Sequence, residues 1–212
     1  MKINDIEKFA QNIESKMFFD YDVKHLNWFN IGGKTQILFK PNSLKGLIEY
    51  LKLYNSRGKV FILGNGSNVL FDDETYPGTV IKLGKSFSNI TLLDKETIIA
   101  GTATTQQKVS EFAKDFNISG LEFMSCIPGT IGGGIRMNSG CFNKEFKDVL
   151  VSIQLTDFKG NVRSIPANKI NFNYRSIELP KDLIFLSATF KGKEKKNSEI
   201  EIYMNEIKKK KN

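Results

Sequence analysis

The sequence is poor in the residue types that carry most metal and nucleophile chemistry. It has one histidine, two cysteines and one tryptophan in 212 residues. The single histidine, His25, makes neither a metal cluster nor a catalytic triad, and its plain reading is a satisfied or surface side chain. No metal ligands are assigned. Cys126 and Cys141 form no CxxC pair and have no other cysteine to meet, which predicts free thiols in a reducing compartment. No apolar run is long enough to cross a membrane. The first residues are a mixed-charge amphipathic run rather than a signal peptide. The expectation is a soluble, cytoplasmic protein without membrane insertion. Two nucleotide signatures are also missing. Gly64-Asn-Gly66 opens like GxGxxG, but Val69 stands where the third glycine belongs, and no helix follows. GxxxxGK[ST] does not occur. A Rossmann dinucleotide site and a P-loop therefore fit poorly.

What remains is ample for one large domain or two small ones, with 40% hydrophobic and 25% charged residues. The net charge of +8 suits an anionic ligand. Much of that excess sits in Lys208-Lys-Lys-Lys211, so it says little about the folded body. No RNP-like, zinc or helix-turn-helix pattern accompanies the charge, and nucleic acid is not an expected partner.

Along the chain, Ile6, Phe9, Ala10 and Ile13 predict a helix from Asn4 to about Ser15. Phe18 to Val23 reads as irregular. Thr35 to Lys40 reads as a strand ending at Pro41. Ser43 is a plausible cap for a helix with Leu44, Leu47, Ile48 and Leu51 on one face. Lys59 to Leu63 is an apolar strand that runs into Gly64-Asn-Gly-Ser-Asn68 and then a short strand, Val69 to Phe71. Strands are expected at 79–83, 88–93 and 97–100, the last two as a hairpin across Asp94-Lys-Glu96. A helix follows over 105–116. Strands at 149–156, 161–165 and 183–190 follow, with an irregular stretch at 171–175. An amphipathic helix spans 198–211.

The second glycine-rich segment is Ile127-Pro-Gly-Thr-Ile-Gly-Gly-Gly-Ile-Arg-Met-Asn138. Glycines let backbone approach another group closely, and successive N–H groups in such a loop make a nest for an anion. The other reading is a tight turn between packed elements. Each loop pairs glycines with a small hydroxyl residue, Ser67 or Thr130, and each follows an apolar segment. Two such loops closing on one diphosphate would replace cationic side chains with oriented N–H groups. Asn138 and Ser139 are candidate hydrogen-bond donors to a ring or ribose.

Gly64-Asn-Gly-Ser-Asn-Val-Leu70, Gly120-Leu-Glu-Phe123, Ile127-Pro-Gly-Thr-Ile-Gly-Gly133, Met137-Asn-Ser-Gly140 and Tyr174-Arg-Ser176, in that order, resemble the UDP-N-acetylenolpyruvoylglucosamine reductase family. The resemblance runs from about Asn27 to Phe190. It implies an α+β, two-lobed FAD-binding fold of the vanillyl-alcohol-oxidase (PCMH) type. The expected parts are an N-terminal helix and lead-in (1–26), a small lobe (27–84), a larger lobe (85–191) and a lysine-rich tail helix (192–212). FAD is the implied cofactor, NADPH the reductant and a UDP-sugar the substrate, with a monomer favoured. The diphosphate falls to Gly64, Asn65, Gly66, Ser67 and Asn68 and to Ile127, Pro128, Gly129, Thr130, Gly132 and Gly133, with Asn138 and Ser139 beside them. Arg175 matches the family's active-site arginine. Hydride addition beside a carboxylate builds enolate charge, which a fixed guanidinium stabilises. Tyr174 is expected to orient substrate.

Three departures bear on function, the first being Trp28, which stands where family members usually carry a small hydroxyl residue. Asn138-Ser-Gly-Cys-Phe-Asn143 replaces the family's common Asn-Ala-Gly-Ala-Tyr-Gly. Nothing after Phe190 matches the family's proton-donor serine or late glutamate, so the sequence reads as the FAD lobe cut before the substrate domain, with impaired turnover. A non-catalytic FAD-binding module is the competing reading.

Overall fold

The computed structural model describes Phe9, residues 15–54 and residues 58–211. The helix expected from Asn4 lies outside the described residues, Phe9 and Ser15 excepted. The chain divides into two compact units. One holds the described residues up to Phe87 together with Thr156–Val162; the other holds Ser88–Leu155 and the rest from Arg163.

The first unit is built on a four-stranded sheet of β1 (Lys16–Asp22), β2 (Lys34–Lys40), β3 (Lys59–Ile62) and β4 (Tyr76–Ile81), in the order β1-β2-β4-β3. β2, β4 and β3 run parallel. Strands buried on both faces need continuous apolar runs, and Ile37, Leu38, Phe39, Val80 and Ile81 supply them. Leu38 and Val80 pack with Val23, Leu26 and Leu63. Phe39 meets α1 (Leu44–Tyr54), where its ring stacks on Tyr50 at 4.2 Å. The Tyr50 hydroxyl and Thr79 Oγ1 lie 2.5 Å apart, and burial raises the phenol well above its ordinary pKa.

Two sequence expectations fail in this unit. Residues 18–23, expected to be irregular, lie mostly in β1, which pairs antiparallel with β2 from Lys16↔Lys40 to Asp22↔Lys34. An edge strand takes its order from a neighbour's free backbone groups, so its mostly exposed residues need no apolar alternation. Val69 to Phe71, expected as a strand, is loop. Phe71 instead packs edge-on to Phe61 at 5.6 Å, because a short apolar run does not distinguish strand from packed loop.

The second unit contains β5 (Ile90–Leu92), β6 (Thr97–Gly101), α2 (Gln106–Asp115), β7 (Ile118–Ser119), α3 (Ile131–Arg136), β8 (Gly140–Cys141) and β9 (Lys144–Glu145). Then come β10 (Leu150–Asp157), β11 (Val162–Pro166), β12 (Phe172–Asn173), β13 (Ser176–Ile177), β14 (Leu183–Lys191), β15 (Lys193–Glu194) and α4 (Asn197–Lys211). A five-stranded sheet has the order β11-β10-β14-β6-β5, with β5–β6 the expected hairpin. Ile98, Ala100, Ala188 and Phe190 join Val109 and Ala113 of α2, and Ile131 and Ile135 of α3, in one core. α4 buries Ile200, Met204 and Ile207 against α2 and the turn of helix at Glu122–Cys126. Lys211 Nζ donates to the Cys126 carbonyl at 2.5 Å.

Candidate functional site

In the first unit, Gly64-Asn-Gly-Ser-Asn68 follows β3 at its carboxyl end, where parallel sheets present their loops. Leu63 N–H donates to Ile81, closing the sheet. Beyond it, the N–H groups of Gly64, Asn65, Gly66 and Asn68 have no acceptor among the described residues. Gly66 is buried, and a buried donor without a partner is rare in a folded chain. Gly66 sits at φ +67°, and a Cβ there would lie 2.2 Å from the Leu26 carbonyl oxygen. The backbone of 26–28 therefore presses against this loop, and Trp28 N–H donates to Gly66 O at 3.1 Å.

Lys82 backs the same loop, a role no sequence pattern signals. Its Nζ donates to Gly64 O at 2.6 Å. Burial lowers its pKa, with Lys40 adding to the effect. A carbonyl drawn toward Lys82 leaves the following N–H groups to point elsewhere.

The second loop behaves differently. Ile131 N–H donates to Thr104 O at 2.8 Å, Gly132 N–H to Thr102 O at 2.9 Å and Gly134 N–H to Thr130 O at 2.9 Å. Gly133 N–H donates to the Thr130 hydroxyl, 3.4 Å away, which caps α3. The donors of Gly132 and Gly133 are thus spent inside the fold. Gly129, at φ +115°, and Thr130 keep N–H groups without an acceptor among the described residues. Thr104 Oγ1 and Gln106 Oε1, in the adjoining segment, are buried with no partner among the described residues. Gly134 is required by packing: a Cβ would lie 2.4 Å from the Phe146 ring. Ile127 and Pro128 are half-buried at the loop's entrance, and Ile127 N–H is taken by Met124 O.

Arg175 lies in the two-residue turn between β12 and β13, where Asn173 faces Ser176. Its φ is +55°, its Nη2 donates to Gly140 O at 3.1 Å, and its guanidinium lies 5.3 Å from the Tyr174 ring centre. Tyr174 is 82% exposed. The turn is fastened from two sides. Glu178 accepts from Asn171 and Asn173 side chains, each at 2.9 Å. Asn138 donates to Asn173 O.

Asn138 is fully buried, and both of its side-chain N–H donors are taken within the fold. Nδ2 donates to Glu145 Oε2 at 3.0 Å and to Asn173 O at 3.2 Å, while Oδ1 accepts from Lys147 N at 3.1 Å. Ser139 lends its backbone to the fold, its N–H to Gly134 and its carbonyl to Phe146 N–H. Glu145 is held below the ordinary carboxylate value, chiefly by Lys147 and then by Asn138. Burial raises the Cys141 thiol, and Cys126 adds to the rise; both thiols are free.

Among the described residues no three His, Cys, Asp or Glu side chains gather as a metal site, and no helix is long and apolar enough to cross a membrane. In the first unit, the N–H groups of Gly64, Asn65, Gly66 and Asn68, without acceptors among the described residues, suit an anionic ligand.

Comparison with known proteins agrees with that chemistry. Residues 35–165 match the family described as an FAD binding domain. The chain is 57% identical over 211 residues to the UDP-N-acetylenolpyruvoylglucosamine reductase of Pelagibacter ubique (strain HTCC1062), covering 100% of this chain and 70% of that one. It is 42% identical over 188 residues to the protein of that name from Rickettsia canadensis (strain McKiel), covering 89% of this chain and 63% of the relative. The solved UDP-N-acetylenolpyruvylglucosamine reductase of Thermus caldophilus superposes with a TM-score of 0.79 at 26% identity, over 93% of this chain and 69% of that one. A Physcomitrella patens BBE-like 1 structure, at TM-score 0.64 and 13% identity, covers 89% of this chain and 44% of its own and shares the fold alone.

Proposed function

Because the chain belongs to the UDP-N-acetylenolpyruvoylglucosamine reductase family and carries an FAD-binding domain, we propose that it serves the NADPH-linked reduction of UDP-N-acetylglucosamine enolpyruvate to UDP-N-acetylmuramate, a step of peptidoglycan precursor synthesis. Bound FAD supplies the carrier that takes hydride from NADPH and returns it to the enolpyruvyl double bond.

The observation that carries the cofactor assignment is the run of unpaired N–H groups at Gly64, Asn65, Gly66 and Asn68. Those donors are assigned to the diphosphate. Oriented backbone dipoles stabilise an anion without side-chain rearrangement. Lys82 acts on Gly64 as a positioning residue. Gly132, Gly133 and Ser139 act by holding the loops that donate. Asn138 acts on the hairpin that carries Arg175.

Arg175 is assigned to the substrate. One guanidinium nitrogen is anchored on Gly140 O, and the remaining donors suit the planar enolate–carboxylate system formed as hydride adds beside the carboxylate. Tyr174, exposed beside it, is assigned to orienting the UDP-sugar. No residue of the chain is assigned the protonation of the neighbouring carbon.

The test is purification of the chain with FAD, followed by NADPH oxidation with and without the UDP-sugar. Bound flavin with substrate-dependent oxidation supports the full reading. Bound flavin without it supports the cofactor-binding half alone and favours a non-catalytic module. A folded chain that takes up no flavin contradicts both.

A further inference from the structure

The only tryptophan of the chain, Trp28, is 61% exposed, and its neighbour Phe29 is 57% exposed. Exposed aromatic rings are common on mobile loops, but this loop is tightly wired. Asn27 is buried at its centre. Its Nδ2 donates to Ile31 O at 2.8 Å and to Val23 O at 3.2 Å, and its Oδ1 accepts from Phe29 N at 3.0 Å. Trp28 N–H is tied to Gly66 O, while Gly33 N–H is tied to Asp72 O at 2.8 Å. Asn30, at φ +55°, and Gly32, at φ +118°, turn the chain back on itself. The fold thus commits a buried amide and two left-handed residues to holding Trp28 and Phe29 out into solvent.

That display begins one hydrogen bond from the loop in which the N–H groups of Gly64, Asn65, Gly66 and Asn68 have no acceptor among the described residues. A dinucleotide whose diphosphate meets Gly64–Asn68 has a planar ring system on each side of it. A rigid aromatic face costs little entropy to use, and stacking of a base on such a face is sequence-tolerant and favourable. Leu70 and Ile31 are exposed as well. We propose that Trp28 is a cofactor-binding residue, its indole packing on a planar ring of bound FAD. The position lies outside residues 35–165, the stretch matched as an FAD-binding domain. The proposal rests on the reading of the chain as an FAD protein.

Hydroxyl-radical footprinting read by mass spectrometry tests it without turnover. FAD saturation is expected to lower Trp28 oxidation several-fold and to leave exposed Tyr203, on α4, unchanged. ADP and FMN in place of FAD distinguish the ring: protection by ADP assigns the adenine, protection by FMN the isoalloxazine. Trp28→Ala is expected to weaken FAD binding about tenfold, and Trp28→Phe to restore most of it. Because the side chain is exposed, both variants should melt like the parent. A chain whose flavin band co-elutes with it while Trp28 is oxidised as in the flavin-free form overturns the proposal and spares the cofactor reading. A chain that retains no flavin overturns both.

Discussion

Asn138 Nδ2 lies 3.2 Å from the carbonyl oxygen of Asn173 and donates to it. Two residues later Arg175 donates back to Gly140 O at 3.1 Å. The end of the glycine-rich segment and the turn bearing Arg175 are therefore one hydrogen-bonded piece. Asn138→Ala strips partners from Glu145, Asn173 and Lys147 and leaves a β-carbon at φ +39°. The expected loss is about 1–3 kcal/mol, measured by urea unfolding. Asn138→Gly relieves the backbone but not the hydrogen bonds. It should recover only part of the loss, and amide exchange at Arg175 and Ser176 should be faster in both variants.

Gly66→Ala places a methyl group against Leu26 O and in the left-handed region. The cost is expected at roughly 1–3 kcal/mol of stability. FAD uptake should fall with it, because the donors of Gly64–Asn68 cannot keep their directions. Fluorescence titration with FAD, alongside thermal melting, separates the two effects.

Thr130→Val keeps shape but removes the hydroxyl that caps Gly133. A lost cap costs typically about 1 kcal/mol. Thr130 N–H is unchanged, so FAD affinity should drop less than in Gly66→Ala. A drop as large would place the hydroxyl itself on the ligand.

Much of this was legible in sequence, and what was not has physical causes. Gly64–Asn68 and Pro128–Gly134 stand out because few other contexts ask for that many glycines. The helix at 105–116 was readable from the spacing of Val109, Phe112 and Ala113, and appears as Gln106–Asp115, capped by Thr105. β1 was hidden because its pairing with β2 is a property of backbone groups. The division of labour within the second loop was equally hidden. Gly132 and Gly134 look like anion binders by type, yet one donates to Thr102 and the other makes room for Phe146. That Asn138 ties Glu145 and Asn173 together was hidden too, because those partners are distant in sequence or set by the fold.

Glu145 brings a pH dependence. Its folded pKa lies below the ordinary 4.5 because Lys147 and Asn138 donate to the carboxylate. A depressed carboxylate contributes stability that is present above the unfolded value and lost as pH falls through the folded one. The chain should therefore lose stability below about pH 4.5, and Glu145→Gln should flatten part of that loss. Unfolding midpoints between neutral and acid pH, compared for the two proteins, check it.

Arg175→Lys keeps the charge and loses the planar fork. If the reductase reading holds for this chain, flavin content should stay at the parent level while substrate-dependent NADPH oxidation falls about 10²-fold or more. Loss of flavin together with activity would move Arg175 from the substrate to the cofactor.

The central claim is that the N–H groups of Gly64, Asn65, Gly66 and Asn68, which have no acceptor among the described residues, bind the diphosphate of FAD. Equilibrium titration of the flavin-free chain with FAD tests it most directly. The account predicts saturable binding of one FAD per chain, displaced by ADP or by inorganic pyrophosphate at high concentration. A folded chain that shows no saturable FAD binding, or binding that Gly66→Ala leaves untouched, contradicts it.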